Sequence, residues 1–404
     1  MSETYRALEY RLRPARVLWQ RLLTSVHKSH LSQGVRLIER HYPLVDDRNS
    51  PWVPVAPLLS GICGSDIAIL RGTSSPYLAP LASFPAVLGH EVVARRLNGA
   101  NPGERVVVDP TLSCSARGVP ACLACQRGET DECENRTVGA LGPGLLMGYT
   151  RATPGGWSTR MWVPDAQLIP IPQDLPNQRA VLAEPTAIVW EGLRRVPLEG
   201  SHTVLIMGAG TLGLLALALI RHRLPKATVV VRSRYPMQSQ VARTLGGNRI
   251  LEMPSDAAFL ASPDLRDIVG KTYPGMWGAL PYHTGGFDLT IDSVGRASTI
   301  AQALTLTRPG GSILLIGGAN TAAIDFTPLW SRRLTLVGTF GYAHGHRHST
   351  RHTFLEALEW LRMTVAPLEQ LVTHQFPLED YREAFRVLEH RSSGAIKVAF
   401  APNH

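Results

Sequence analysis

The sequence predicts a chain of the α/β plus β class, in which a small barrel-like β domain is joined to a doubly wound, mostly parallel α/β sheet. Three observations carry this reading. From Val53 to about Pro172 the text consists of short β-like runs broken by Gly and Pro, such as "AVLGHEVVARRL" and "ERVVVDP". After residue 200, apolar strands alternate with helical runs, as in "HTVLIMG", "LGLLALALIRHRL", "ATVVVRS" and "PMQSQVARTLGG". At 404 residues the chain is too long for one ordinary core, so two domains are expected.

Taken in order, residues 1–50 are polar and irregular and receive no role. The β-like region ends at "NQRAVLAEPTAIVWEGLRRV", residues 177–196, a helix with an apolar stripe that marks the domain boundary. The α/β region continues through "FDLTIDSVG", the helical "STIAQALTLT" and "GSILLIGGA". The tail reads as a helix at "TFLEALEWLRM", a second at "YREAFRVLEH" and a last strand, "GAIKVAFAP". There is no internal repeat and no low-complexity tract.

The formal net charge of +9 comes almost entirely from arginine, because Lys28, Lys226, Lys271 and Lys397 are the only lysines. The arginines are scattered and lack interleaved aromatics, so no nucleic-acid partner is expected. The N-terminus carries no apolar segment of the secretory kind. The longest apolar run, residues 204–220, is short for a membrane span and is interrupted by glycines. A cytoplasmic location without a membrane partner is therefore expected, and in a reducing compartment clustered cysteines point to metal rather than to disulfides.

"GAGTLG" supplies Gly208, Gly210 and Gly213, with Leu212 inside the turn, between a strand and a helix. That context suits a dinucleotide pyrophosphate: a tight turn, close backbone approach, and a helix N-terminus facing the phosphates. Val294 and Gly317 end later strands of the same region and join the expected cofactor site. The second strand ends in "VVVRSRYP", where an acidic residue would hold a ribose 2′-hydroxyl. Ser233 stands there between Arg232 and Arg234. Serine and arginine can bind a 2′-phosphate that a carboxylate would repel, so NADP(H) is expected over NAD(H).

Four cysteines follow the spacing Cys114-x7-Cys122-x2-Cys125-x7-Cys133. Four thiolates close a tetrahedral zinc shell with no open position, which makes a structural site. The fifth, Cys63, lies in "GICGSD" with Ser65 and Asp66; "LGHEVV" holds His90 and Glu91, and "LAEPTA" holds Glu184. A thiolate, an imidazole and a carboxylate make a mixed shell that can leave a position for substrate.

Together, "GICGSD", "GHE", the cysteine lobe, "AEP", "GAGTLG" and "FDLTIDSVG…PGGSILLIGG" resemble the zinc-dependent medium-chain alcohol dehydrogenase family, in its sorbitol and threonine dehydrogenase-like branch, over about residues 50–400. The resemblance implies a GroES-like catalytic domain over residues 1–184, with its structural zinc lobe at 114–133, a Rossmann NADP-binding domain over 185–340, and a return to the catalytic domain over 341–404. It implies two zinc ions per chain and hydride transfer between NADP(H) and a small alcohol, aldehyde or ketone. Cys63 and His90 would be catalytic zinc ligands, with Glu184 the third or just outside the shell. Glu91 would be an adjacent carboxylate that enters the shell as ligands exchange. Asp66 would orient His90, and Ser65 would begin a proton relay. A homodimer or homotetramer through the Rossmann sheet edge is also implied.

The chain departs from the family pattern in three places. Ala68 stands where the relay histidine is often found. Val119 occupies the spacing of the first lobe cysteine, with Cys114 upstream of an inserted "SARGV", which leaves a three-cysteine site open. The first fifty residues are longer than usual. His344, His346, His348 and His352 in "FGYAHGHRHSTRH" read as a solvated loop rather than a second metal site, although one of them is a candidate to replace the missing relay group. Two other functions are weighed: hydride reduction of a conjugated C=C bond on the same fold, and a catalytically dead nucleotide-binding or structural protein. Replacing Ser233 by Asp is expected to move the cofactor preference from NADP(H) toward NAD(H) in a steady-state comparison; an unchanged preference refutes the 2′-phosphate reading.

Overall fold

Residues 4–12, 30–41, 51–99, 101–199, 202–342 and 352–403 are described by a computed structural model of the chain. The chain divides into two units: residues 1–184, 341–364 and 372–404, and residues 185–340 and 365–371.

The first unit is built on antiparallel β-structure. Its strands are β1 (Thr4–Tyr10), β2 (Val35–His41), β3 (Trp52–Gly61), β4 (Ala86–Val87), β5 (Glu91–Arg96), β6 (Arg105–Val108), β7 (Met161–Pro164) and β8 (Leu168–Pro170), with β17 (Val372–Phe376) and β18 (Lys397–Phe400) added by the returning chain. Seven of them form one sheet in the order β17-β18-β3-β5-β6-β8, with β7 also paired to β3. A smaller sheet, β2-β1-β4, draws two strands from the first fifty residues. β1 and β2 pair along their whole length, from Thr4↔His41 to Tyr10↔Val35.

One core cluster of this unit gathers Leu8, Trp157, Phe385 and Phe400. The helix Tyr381–Glu389 joins it through Tyr381, Ala384, Phe385 and Leu388, the i, i+3, i+4, i+7 stripe of an amphipathic helix.

Register then brings the chemistry together. Pairing of β3 with β5 sets Gly61 opposite Glu91, and β18 sets Ala399 opposite Gly61. Cys63 lies two residues beyond β3, His90 immediately precedes β5, and Lys397 opens β18, so all three arrive at one end of the sheet.

The second unit carries a six-stranded parallel sheet in the order β11-β10-β9-β14-β15-β16. Its strands are β9 (Thr203–Met207), β10 (Thr228–Ser233), β11 (Arg249–Glu252), β14 (Phe287–Asp292), β15 (Thr307–Leu315) and β16 (Thr335–Gly338). A separate hairpin pairs β12 (Thr272–Tyr273) with β13 (Tyr282–His283). Counted within the sheet, the order is the 3-2-1-4-5-6 of a dinucleotide-binding fold. The long helix Thr211–Arg223 starts directly after the turn that follows β9. Gly208 adopts φ +97°, which favours glycine, and a Cβ on Gly213 would lie 1.9 Å from the Gly208 carbonyl oxygen. No helix among the described residues is long and apolar enough to cross a membrane.

Gly213→Ala therefore forces the helix away from its strand. It is expected to lower stability by about 1–3 kcal/mol and to weaken dinucleotide binding, as read by thermal melting and NADPH fluorescence titration.

Candidate active site and metal centres

The mixed site is assembled at the end of β3. Cys63 is the N-cap of the helix Gly64–Leu70, and its backbone N–H donates to Asp66 Oδ2 at 2.9 Å. This local turn fixes the carboxylate of Asp66, whose Oδ1 faces His90 Nδ1 at 3.5 Å. Asp66, His90 and Glu91 are all buried. Ligand atoms of Cys63, His90 and Glu91 lie within 4.8 Å of one another. Burial works against a charged His90, but the Asp66 carboxylate and the Cys63 sulfur outweigh it and raise the imidazole well above its ordinary value.

Glu91 is held by a residue that the motifs did not single out. Lys397 Nζ donates to both its carboxylate oxygens, at 2.7 and 2.6 Å, and to the Ile62 carbonyl at 3.3 Å. A Cβ at Gly61 would sit 1.9 Å from Glu91 Oε2, so glycine on β3 is what leaves room for this carboxylate. Lysine is rarely fully buried without a partner, and "AIKVAF" places one inside an apolar strand. That was the signal available in the sequence.

Glu184 stands in the first turn of the helix Ala183–Arg194, outside the cluster formed by Cys63, His90 and Glu91. Its Oε1 accepts from the hydroxyl of Tyr342 at 2.8 Å. Burial pushes its carboxyl up to about 7, opposed by the charge of His90 and reinforced by that of Glu91. Ser65 is exposed, and the Tyr149 hydroxyl reaches its Oγ at 2.7 Å and Asp66 Oδ1 at 3.2 Å. Neither tyrosine hydroxyl was visible as a site group in the sequence: Tyr149 comes from a segment outside the motifs, and in "FGYAHGHRHSTRH" the histidines, not Tyr342, drew the reading.

The donor set fits zinc. A soft thiolate, an imidazole and a carboxylate gather in a buried place where Lys397 is the only cation in contact with Glu91 among the described residues. With Lys397 committed to Glu91, the thiol and the imidazole beside a second buried carboxylate form a donor set that a divalent cation would complete.

The cysteine lobe fits zinc as well. The sulfurs of Cys114, Cys122, Cys125 and Cys133 lie within 4.8 Å of one another, and none forms a disulfide. The inserted "SARGV" does loop so that Cys114 joins the set: Cys114 opens the short helix Cys114–Arg117, which Gly118 ends in the left-handed region at φ 65°. Cys114 Sγ accepts hydrogen bonds from Cys122 N and from Asn135 Nδ2, each at 3.3 Å. Burial raises the Cys122 thiol, yet hydrogen bonds from the Cys125 and Glu134 backbone bring it down to about 6. Burial pushes Cys125 and Cys133 upward. A divalent cation would hold all four as thiolates. Arg117, from the insertion, is buried and donates to the carbonyls of Leu112, Val138, Gly142 and Gly144, lacing the lobe together.

In the second unit, Gly208, Val294 and Gly317 converge. A Cβ on Gly208 would meet Val294 Cγ2 at 2.5 Å, and one on Gly317 would meet the backbone of Val294 and Gly295. Gly210 is the N-cap of the helix that carries Leu212 and Gly213. The arginine pair at the end of β10 behaves differently from expectation. Arg232 is turned inward: its guanidinium pairs with Asp256, donates to Gln302 Oε1 at 2.7 Å and lies over the Phe259 ring. β10 is buried on both faces, and Asp256 and Gln302 claim the guanidinium, so Arg232 is not an open phosphate ligand. Ser233 is also buried, its Oγ 2.6 Å from that of Ser239, while Arg234 is exposed.

His344, His346 and His348 lie outside the described residues. His352 caps the helix Thr353–Met363: its Nδ1 accepts from Phe354 N at 3.1 Å, so its proton sits on Nε2 and faces Asp109 Oδ2 at 3.1 Å. That is a fastening role, not a relay.

The sequence matches the family model described as Alcohol dehydrogenase GroES-like domain over residues 49–173, and the one described as Zinc-binding dehydrogenase over residues 211–362. It is 26% identical over 349 residues to the L-idonate 5-dehydrogenase of Vitis vinifera, covering 84% of this chain and 85% of that protein. It is also 26% identical over 378 residues to D-arabinitol dehydrogenase 1 of Uromyces fabae, covering 91% and 94%. The fold matches the crystal structure of L-idonate 5-dehydrogenase from Escherichia coli with a TM-score of 0.72 at 20% identity, covering 99% of each chain.

Cys114→Ser tests the lobe. Zinc measured by elemental analysis is expected to fall by about one ion per chain, with a marked loss of thermal stability; unchanged zinc would mean that three sulfurs suffice.

Proposed function

Because the chain belongs to the zinc-dependent medium-chain alcohol dehydrogenase family, we propose that it is an NADP(H)-linked oxidoreductase interconverting a small alcohol, polyols foremost, and its carbonyl compound. The single observation that carries this reading is the gathering of half-buried Cys63 with buried His90 and Glu91. The names of the two curated relatives, both polyol or sugar-acid dehydrogenases, support the substrate class.

Zinc held by Cys63, His90 and Glu91 would supply Lewis-acid polarisation of the substrate oxygen, and NADP(H) would donate or accept the hydride. The chain's own residues do the rest. Asp66 faces His90 Nδ1 and would orient the imidazole, with Nε2 left to serve as the ligand atom. Lys397 balances the charge of Glu91 and keeps its carboxylate from swinging. Tyr342 fixes Glu184, a carboxylate that feels the charges of His90 and Glu91. The Ser65 hydroxyl, exposed at the site, moves a proton to or from the substrate oxygen.

In the second unit, Gly208, Gly210, Leu212, Gly213, Val294 and Gly317 would receive the dinucleotide. The absence of a carboxylate at Ser233 and the exposed Arg234 support NADP(H); Arg232 no longer contributes to that argument. A structural zinc in the lobe, a homo-oligomeric assembly and a cytoplasmic location complete the proposal.

The test is a hydride-transfer assay over alcohols, polyols, aldehydes, ketones and an enal, with both cofactors. NADP(H)-linked turnover of an alcohol or carbonyl is expected. Cys63→Ser is expected to lower kcat/KM by about a thousandfold or more while folding and NADPH binding persist. A saturated aldehyde formed from the enal would favour conjugated C=C reduction instead, and no turnover anywhere would leave a nucleotide-binding protein.

A further inference from the structure

Ala68 leaves the serine hydroxyl without the neighbour that the family often supplies, and a residue more than eighty positions away takes up the contact. Tyr149 places its hydroxyl 2.7 Å from Ser65 Oγ and 3.2 Å from Asp66 Oδ1. Its ring packs edge-on against the His90 ring, with centroids 5.3 Å apart. Its backbone is pinned on both sides: Tyr149 N donates to the Leu146 carbonyl at 3.1 Å, and the Tyr149 carbonyl accepts from Ser83 N at 3.0 Å. Tyr149 is 9% exposed, so its hydroxyl is held by the protein, whereas Ser65 is open to water.

A phenol has one proton to give. The shorter contact is to Ser65, which makes Ser65 Oγ the principal acceptor and Asp66 Oδ1 the second arm. A serine hydroxyl is a poor acid, and a hydrogen bond donated to its oxygen stabilises the negative charge that appears as its proton leaves.

We propose that Tyr149 is a positioning residue for the reaction, standing in for the side chain missing at Ala68 by orienting the Ser65 hydroxyl and donating a hydrogen bond to Oγ while Ser65 exchanges its proton. This inference rests on the alcohol–carbonyl reading above. In reduction, the Ser65 O–H bond breaks, its proton passes to the substrate oxygen, and Oγ takes a proton from water, leaving hydroxide to the solvent. The carbonyl carbon receives the hydride with both electrons from NADPH. In oxidation each transfer reverses: the alcohol proton goes to Oγ, Oγ gives its own to water, and the hydride goes to NADP+. The phenol keeps its proton throughout.

The test uses the full chain with zinc, in the variants Tyr149→Phe, Ser65→Ala and the double variant. Tyr149→Phe is expected to lower kcat about 10- to 100-fold, to leave KM and the NADPH dissociation constant within about twofold, to retain zinc, and to enlarge the solvent isotope effect on kcat. In the Ser65→Ala background the same change should cost less than about twofold, because its effect runs through that hydroxyl. An equal loss in both backgrounds would mean that Tyr149 only packs against His90, and a Tyr149→Phe enzyme as active as the parent would overturn the inference outright. A parent chain inert toward every alcohol and carbonyl would instead overturn the proposed function, and this inference with it.

Discussion

Concentrated negative charge in a dry place is the constraint around which the first unit is organised. Cys63 and Asp66, from one turn, join Glu91 and Glu184, from two other stretches of chain, and three of the four are buried. One buried lysine neutralises one carboxylate. The surrounding architecture serves that pair: β18 returns from the C-terminus to deliver Lys397 beside β3, and Gly61 on β3 leaves the space that the Glu91 side chain fills. Breaking a buried ion pair by removing one partner typically costs about 3–5 kcal/mol, so the strand, the glycine and the lysine form a unit. What remains after that pairing is a thiol, an imidazole and carboxylates with charge to spare, which is the chemistry of a cation site.

The cysteine lobe solves a similar problem with different means. Four sulfurs converge in a segment with little hydrophobic core of its own, and a buried arginine ties its carbonyls together. Asp131 of the lobe also abuts Gly341, where a Cβ would lie 2.1 Å from its Oδ2. The next residue, Tyr342, holds Glu184. The lobe thus lies in direct contact with the segment that carries the Glu184 partner.

Much of the fold was legible because its signals are local. The strand–turn–helix context of "GAGTLG", the alternation of apolar strands with helices, and the short β runs broken by Gly and Pro each report a backbone requirement within a few residues. The site was legible where residue type and spacing carry the chemistry: the C-x2-C pair, Cys63 with Asp66, and His90 with Glu91. It was opaque where partners meet through tertiary structure. Lys397 reaches Glu91 from 306 positions away, and Tyr149 reaches Ser65 from 84. Arg232 shows the converse limit. A basic residue at the right place in the motif says nothing of the partners that tertiary structure brings to it, and Asp256 and Gln302 claim it. The first fifty residues yielded no role because β1 and β2 carry no chemistry-bearing motif and take their place by pairing with each other and, through β1, with β4.

The central claim is that Cys63, His90 and Glu91 hold the working metal. X-ray diffraction from crystals of the chain, recorded on both sides of the zinc absorption edge, tests it directly. The expected result is an anomalous zinc peak bonded to Cys63 Sγ, at about 2.3 Å, and to His90, distinct from a second peak among the four lobe cysteines. A peak in the lobe alone, in crystals grown with zinc present, would contradict it.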